Sequence, residues 1–179
     1  SGKTTLLDNL MGLGKPSKGK IIVNGMDIYK NDNNLIWMHS IAHCPAETFL
    51  MDRDIIENIK SLLDVGEINF KKLKKAWHCS GLDEFISLDD SVKNHMDKNS
   101  NFQERIKTFS SGQKQRISIA KTLYKDKDIF MLDEFTSALD ENIEKLVLTR
   151  IKENYPEKTI ILISHKKTPL EFCNKFIRL

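Results

Sequence analysis

The stretch "DIFMLDE" at residues 128–134 places two acidic residues directly after an apolar run. The run, residues 129–132, predicts a strand buried on both faces, as in a parallel sheet. Asp133 and Glu134 would then lie at the carboxyl edge of that sheet, where open α/β folds bind ligands. Taken alone, the pair also fits two solvated acids at the end of a strand, so the neighbouring stretches must decide.

Strands and helices alternate outward from this stretch. Helices are predicted at residues 3–13, 110–124 and 139–154, and strands at 40–44, 159–165 and 175–179. Residues 19–28 predict a hairpin that turns at Asn24 and Gly25. Residues 54–101 predict helical segments, in one of which Phe70, Leu73 and Trp77 share a face. The pattern predicts a mostly parallel sheet with crossover helices, interrupted by a helical insert.

Composition excludes several other classes of protein. The 179 residues are 40% hydrophobic and 30% charged, which fits one globular domain. A net charge of +3 without a localised patch argues against a nucleic-acid partner. Cys44, Cys79 and Cys173 form no C-x-x-C pair, which argues against a zinc knuckle or a disulfide framework. No apolar run reaches the roughly 20 residues of a membrane helix.

The stretch "SGKTT" at residues 1–5 matches the second part of a phosphate-binding loop, G-x-x-x-x-G-K-[ST]. We expect the first glycine of the loop to lie upstream, in a longer polypeptide. Backbone N–H groups at this helix start would hold phosphate oxygens, Lys3 would reach the β and γ phosphates, and the Thr4 hydroxyl would ligate Mg²⁺. Beside such a loop, Asp133 would hold Mg²⁺ through water and Glu134 would orient or deprotonate an attacking water.

Two further stretches have both a structural and a functional interpretation. In "FSSGQKQR", residues 109–116, Ser110 and Gln113 have the spacing of a capping box. The same helix start, with Gly112 allowing close approach, is also a candidate anion site. His165 follows an apolar strand in "LISHK", and a lone histidine in that place is more often structural than catalytic.

The order of these stretches, together with "SALD" at residues 137–140, resembles the nucleotide-binding domain of ABC transporters over nearly the whole chain. The resemblance implies an α/β fold with a P-loop NTPase (RecA-like) core and a mostly parallel sheet, plus an inserted helical subdomain. The core would comprise residues 1–50 and 118–179, and the helical subdomain residues 51–117.

The resemblance also implies a site, cofactors and partners. ATP and Mg²⁺ would bind, in a head-to-tail dimer with a second nucleotide-binding domain. Glu134 and His165 would be catalytic, and Thr4 and Asp133 would hold the metal. The implied ATP-binding residues are Ser1, Gly2, Lys3, Thr4, Thr5, Ser110, Ser111, Gly112, Gln113 and Asp140. The other partner would be a transmembrane domain, expected in the same polypeptide, which places the chain at the cytoplasmic face of the cell membrane.

Two stretches are similar to the exporter branch of that family. "FLMDRDIIENIK" at residues 49–60 resembles the stretch after the exporter Q-loop, and Glu104 matches the glutamate of the exporter cross-linking loop. We therefore expect an ATP-hydrolysing domain that powers export. Two alternatives stay open: a nucleotide-gated regulatory module with little hydrolysis, and a soluble ABC ATPase without a transport role.

Three positions depart from the family pattern. Ala46 stands where the Q-loop glutamine is expected, with Glu47 after it, so one Mg²⁺ ligand is missing. Ser111 replaces the first glycine of the signature, and Ile106 replaces a glycine of the cross-linking loop. Outside the family motifs, His39 and His43 have the spacing of a metal pair, but "HSIAH" lacks the acid of H-E-x-x-H, which argues against zinc.

Overall fold

The computed structural model describes residues 2–30, 33–60, 66–97 and 106–177. Its central element is a parallel sheet of three strands: β3 (Ile41–Cys44), β4 (Ile129–Asp133) and β5 (Thr159–Ile163). The strands lie in the order β3-β4-β5, with β4 in the middle. Phe130, Met131 and Leu132 of β4 are buried, as expected for a central strand covered on both faces. The predicted α/β fold with a parallel sheet is confirmed.

A separate antiparallel hairpin comprises β1 (Ile22–Val23) and β2 (Met26–Asp27). Its two turn residues, Asn24 and Gly25, have φ values of 49° and 79°. Positive φ at both central residues is the requirement of a type I′ turn, and Asn-Gly meets it with little strain. The predicted turn at Asn24 and Gly25 is therefore confirmed.

Two helices, α1 (Lys3–Met11) and α2 (Asn33–His39), contact each other beside one face of the sheet. Leu7 and Met11 of α1 pack against Met131 of β4, with Trp37 of α2 at the edge of the cluster. The Trp37 indole N–H donates to the Leu10 carbonyl at 2.6 Å. This cluster holds the start of α1 next to the carboxyl end of β4. The sequence did not predict α2.

The larger core lies on the opposite face, under α6 (Ser111–Tyr124) and α7 (Glu141–Asn154). Both helices begin within two residues of the predicted positions. Ser110 and Asp140 are the N-cap residues, so the helices themselves begin one residue after them. Ile117 of α6 and Val147 of α7 are completely buried. The core therefore fixes the starts of both helices relative to the sheet.

Residues 55–96 contain the helices α3 (Ile55–Lys60), α4 (Phe70–Cys79) and α5 (Leu88–Met96). Phe70, Leu73 and Trp77 share one face of α4 as predicted, and on that face Leu73 and Trp77 are buried whereas Phe70, the first residue of the helix, is 49% exposed. Trp77 belongs to the same hydrophobic cluster as Leu132 of the sheet. The division into a core and a helical subdomain at residues 51–117 stays a prediction.

The last described helix is α8 (Lys167–Glu171), which the sequence did not predict. The predicted final strand is wrong for residues 175–177, which have no strand structure, and residues 178–179 lie outside the described residues. Phe176 and Ile177 are 80% and 87% exposed. None of the helices in the described ranges has both the length and the apolar character needed to cross a membrane.

Candidate nucleotide-binding and catalytic site

The start of α1 has no side-chain cap. Gly2 is the N-cap residue, and no side chain caps the helix. A helix start of this kind has unpaired backbone N–H groups and the positive end of the helix dipole, which together favour an anion. Thr4 and Thr5 are exposed in the first turn, with Lys3 beside them. Ser1, the remaining predicted residue of this loop, lies outside the described residues.

The carboxyl end of β4 holds the two acidic residues at the point where the chain turns. Asp133 is the last residue of the strand. Glu134 follows with a φ of 43°, a left-handed conformation that is uncommon for a residue other than glycine. Its N–H donates to the Ile163 carbonyl of β5 at 2.9 Å. Strained backbone of this kind concentrates at functional sites, and here it aims the Glu134 side chain away from the strand direction.

His165 connects the two parts of the site. The Lys3 ammonium nitrogen lies 3.2 Å from His165 Nδ1 and 3.0 Å from Nε2. His165 Nε2 in turn lies 3.2 Å from Glu134 Oε1. Since an ammonium can only donate, a neutral imidazole satisfies both partners by accepting from Lys3 at Nδ1 and donating from Nε2–H to Glu134. Lys3, His165 and Glu134 therefore form one continuous polar chain.

The polar chain of Lys3, His165 and Glu134 is accessible to solvent and to a ligand. The His165 side chain is 65% exposed and that of Glu134 is 36% exposed. Exposed pairs of this kind contribute little to the stability of a fold, because water competes with them. The arrangement therefore fits groups that await a ligand better than groups that hold the protein together.

Negative charge is concentrated at this edge of the sheet. Burial raises the pKa of Asp133, the charge of Glu134 raises it further, and His43 and Lys3 oppose that increase. His43 is in register with Met131, two residues before Asp133, so the pleat puts His43 and Asp133 on the same face of the sheet, towards α1. Burial lowers the pKa of His43, which favours the uncharged imidazole. A cation would relieve the remaining negative charge.

The donor set fits a nucleotide with Mg²⁺. Carboxylate and hydroxyl oxygens, here those of Asp133 and Thr4, are ligands that suit Mg²⁺. In the described part of the chain, no group of three or more His, Cys, Asp or Glu side chains could hold a metal ion. Mg²⁺ usually takes one or two carboxylates and completes its shell with substrate phosphates and water, so Asp133 and Thr4 could hold it beside a nucleotide.

The start of α6 is closed where that of α1 is open. The Ser110 hydroxyl accepts from the Gln113 N–H at 3.2 Å, and Gln113 Oε1 accepts from the Ser110 N–H at 2.9 Å. The predicted capping box is confirmed, and it occupies both side chains. Ser111 at this start is exposed and Gly112 is half-buried. These contacts close on the helix itself rather than on Lys3, His165 or Glu134.

Asp140 caps α7 in a similar way. Its carboxylate accepts from the backbone N–H groups of Asn142 and Ile143, both at 3.1 Å. The side chain is used within its own helix start, and the residue is exposed. The predicted role of Asp140 in binding ATP stays a prediction.

The loop after β3 contains the departure from the family pattern. Ala46 and Glu47 are both exposed. A methyl group cannot ligate a metal, so nothing at position 46 replaces the expected amide oxygen. Glu104, used as an exporter cue, lies outside the described residues, and Ile106 is buried in the large core.

The structure brings Lys3, Asp133, Glu134 and His165 together at one sheet edge, and their predicted roles stay predictions. Sequence reasoning missed three residues near them: His43, Gln115 and Lys166. Alternation along β3 would have placed His43 on the same sheet face as Asp133, had the strand partners been known. No sequence signal indicated the long-range contacts of Gln115 and Lys166, which are described below.

Comparison with known proteins identifies the family. A family model described as "ABC transporter" matches residues 1–137. A probable ABC transporter ATP-binding/permease protein of Haemophilus influenzae is 32% identical over 178 residues, which cover 99% of this chain and 31% of the relative. The mitochondrial iron-sulfur clusters transporter ATM1 of Candida glabrata is 32% identical over 179 residues, which cover 99% of this chain and 24% of the relative.

The fold agrees with the sequence matches. A bacterial Atm1-family ABC exporter, solved with ATP bound, superimposes with a TM-score of 0.77 at 26% identity, over 94% of this chain and 28% of that one. The chain thus spans less than a third of the length of these relatives. The predicted resemblance and fold are confirmed, and the chain belongs to the ABC transporter family.

Proposed function

We propose that this chain binds and hydrolyses ATP, as the nucleotide-binding domain of an exporter. One observation carries the proposal: the polar chain from Lys3 through His165 to Glu134, next to the uncapped start of α1. A cation, an imidazole and a carboxylate thus lie next to one another beside an open helix start, which supports phosphate binding at Lys3 and activation of water at Glu134. The solved relative at 26% identity is described as an ABC exporter with ATP bound, which supports the nucleotide.

Binding begins at α1. The N–H groups of its first turn donate to phosphate oxygens, and the Lys3 ammonium adds a charge-assisted hydrogen bond. In the structure the Lys3 ammonium contacts His165. Phosphate therefore has to displace the contact between Lys3 and His165. The His165 imidazole is then free to turn towards the γ-phosphate of ATP. Thr4 and Asp133 would hold Mg²⁺, which would supply positive charge next to the phosphate oxygens.

Hydrolysis relies on Glu134 and His165, the last two residues of the polar chain. Glu134, fixed by its bond to Ile163 and by its left-handed backbone, accepts the proton of the attacking water. His165 donates its Nε2–H to a phosphate oxygen in place of the Glu134 carboxylate. The backbone of Glu134 is already fixed by its hydrogen bond to Ile163, which reduces the reorganisation needed during the reaction.

The start of α6 serves a second subunit in this proposal. Two chains associate head to tail, so that ATP on Lys3 and Thr4 of one contacts residues 110–113 of the other. Asp140 contributes from the loop before α7. A transmembrane domain then couples dimer closure to export from the cytoplasmic side. The H. influenzae relative is named an ATP-binding/permease protein, which supports a permease part in the same polypeptide.

A glutamine at position 134 tests the proposal. In the full-length protein, Glu134→Gln is expected to keep ATP binding and to slow hydrolysis by about 100-fold or more, the scale of losing a positioned base. Glu157→Gln is the matched control, since Glu157 is 60% exposed and pairs only loosely with Lys158 at 3.9 Å. An equal rate for Glu134→Gln and the parent would refute Glu134 as the base.

Ala46 favours a second function, a nucleotide-gated module with little hydrolysis. The missing amide removes a metal ligand and a link between ATP and the helical segment. The parent's own rate separates the two functions. Turnover of ATP at about 1 s⁻¹ or faster, within the usual range of enzymes, supports the ATPase, and ATP-dependent dimerisation without turnover supports the gated module. A soluble ATPase without transport would hydrolyse ATP equally well without a membrane domain.

A further inference from the structure

The segment Phe135–Asp140, called here the 135–140 loop, joins Glu134 to α7. Phe135, Thr136 and Leu139 are buried, so the loop is packed against the core although it has no regular secondary structure. A turn ties its start to the catalytic candidate, since the Ser137 N–H donates to the Glu134 carbonyl at 2.9 Å. A shift of this loop would therefore move Glu134.

Gln115 of α6 holds the loop from one side. It is only 3% exposed, and both ends of its amide are used. Nε2 donates to Ser137 Oγ at 3.0 Å and to the Glu134 carbonyl at 3.3 Å. Oε1 accepts from the Ala138 N–H at 2.8 Å. A buried amide that satisfies two groups of this loop and the carbonyl of the residue before it fixes the loop in a single arrangement.

Lys166 holds the loop from the other side. Its ammonium donates to the carbonyls of Thr136 at 2.8 Å and Leu139 at 3.1 Å. The same nitrogen lies 3.3 Å from Oε1 of Glu144, a carboxylate on α7 that is only 2% exposed. This contact is an ion pair without hydrogen-bond alignment at that oxygen. Since Lys166 directly follows His165, the ammonium links the second catalytic candidate to the same loop.

We propose that Gln115 and Lys166, the loop clamp, are positioning residues for ATP hydrolysis. By fixing the 135–140 loop between α6 and the residue after His165, they hold Glu134 and His165 at their mutual distance. The inference rests on the proposed ATPase function for its kinetic consequence only. The clamp itself is a set of contacts within the domain, and its existence does not depend on that function.

The clamp also connects the two ends of the site. The start of α6 reaches the loop through Gln115, and β5 reaches it through Lys166. A partner subunit that docks on Ser110–Gln113 would press on the same helix that holds Glu134 in place. Small displacements matter here, because a misplacement of about 1 Å can cost on the order of 100-fold in rate.

The variants are chosen to separate positioning from folding. Gln115→Met removes the amide and keeps a similar volume. Lys166→Met alone leaves the Glu144 carboxylate buried and unpaired, so it is combined with Glu144→Gln. Lys166→Arg retains the charge and serves as the conservative variant. Lys145→Met is the matched control, because Lys145 lies next to Glu144 on α7 but is 53% exposed and forms an ion pair with Glu141 at the surface.

Two measurements on the full-length protein are needed. In hydrogen exchange without nucleotide, peptides covering residues 134–140 are expected to exchange about 10-fold faster in Gln115→Met, since the Ala138 N–H loses its acceptor. In steady-state kinetics, kcat is expected to fall by about 10- to 100-fold in Gln115→Met and in Lys166→Met/Glu144→Gln, with KM for ATP within about threefold. Lys166→Arg is expected to recover most of kcat, and Lys145→Met to match the parent.

Each outcome decides the proposal. Unchanged exchange in both clamp variants would show that the loop does not depend on these side chains and would overturn it. Faster exchange with parental kcat would overturn the positioning role. Equal losses in kcat and in ATP affinity would indicate a general structural defect instead. If the parent hydrolysed no ATP, the proposed function would fail, and the exchange experiment would still decide whether the clamp exists.

Discussion

The two helices proposed to contact phosphate begin in opposite ways. α1 starts at Gly2 with no side-chain cap, whereas α6 starts at Ser110 with a complete capping box. The first leaves backbone N–H groups for a ligand, and the second satisfies some of its own. Helix starts that look alike as anion sites in the sequence can thus differ in how much of their capacity is free. In the proposed function, α1 uses its free N–H groups to bind phosphate, and the capped start of α6 contacts the second subunit.

The largest effect on ATP binding is expected from the charge of Lys3 at the start of α1. Lys3→Met removes the only described ammonium that contacts His165, and it should weaken ATP binding by about 100-fold, the scale of losing a charge-assisted hydrogen bond. Lys121→Met, at the last turn of α6, is the control. Calorimetric titration of the full-length protein with Mg-ATP measures both. Similar affinities for the two variants would show that the Lys3 ammonium does not contribute to ATP binding.

The two glycines provide a matched pair of substitutions. A Cβ on Gly112 would lie 2.9 Å from the Ala138 carbonyl oxygen, whereas one on Gly2 would meet nothing within 4 Å. Gly112→Ala should therefore lower the free energy of unfolding by about 1–2 kcal/mol, as overpacking does. Gly2→Ala should change it by less than about 0.5 kcal/mol.

Denaturant unfolding of the nucleotide-free protein measures both glycine variants. The reverse order of stabilities would mean that the 135–140 loop yields to the added methyl group. ATP titration of Gly2→Ala then tests whether phosphate occupies the space beside Gly2. A loss of affinity without a loss of stability is the expected result.

A smaller effect is expected from the cap of α6. Ser110→Ala breaks the capping box and should lower the free energy of unfolding by about 1 kcal/mol. Ser87 caps α5 by accepting from the Asp90 N–H at 3.3 Å, so Ser87→Ala is a cap deletion away from the site. Both variants should lose stability in denaturant unfolding. Only Ser110→Ala should also lose ATPase activity, and equal activities would restrict the box to a structural role.

The smallest effect is expected at position 46. Ala46→Gln restores a carbonyl oxygen near the proposed metal, but the loop is exposed. We therefore expect the Mg²⁺ concentration for half-maximal ATPase to fall by about twofold, the scale of most surface substitutions. The rate is measured against Mg²⁺ for the parent, Ala46→Gln and Glu47→Ala. A loss in Glu47→Ala alone would assign the role to Glu47, and identical curves for all three would exclude this loop from the metal.

Local patterns predicted the parts of the fold that local physics decides. Asn24 and Gly25 specify their turn by backbone preference, and Ser110 and Gln113 specify their cap by spacing. The strands around Asp133 and His165 follow from uninterrupted apolar runs. These features depend on residues that are neighbours in the chain, so a single sequence contains the information for them.

The misses share the opposite property. Residues 175–177 have the composition of a strand, but a strand also needs a hydrogen-bonding partner, and composition cannot show whether one is present. α2 is short and has no fully buried residue, so its periodicity was weak. α8 contains Pro169 in its first turn, a position that tolerates proline but reads as a break in the sequence. The contacts of Gln115 and Lys166 join residues 19–30 positions apart.

The left-handed backbone of Glu134 has a consequence for the history of the domain. At a φ of 43°, glycine or asparagine would occupy position 134 with less strain than glutamate does. Selection for stability alone would therefore favour replacement of the glutamate, and only selection for the proposed ATP hydrolysis would keep it. Among duplicated copies of such a domain, the residue at this one position should record which copies still turn over nucleotide and which have become inactive partners.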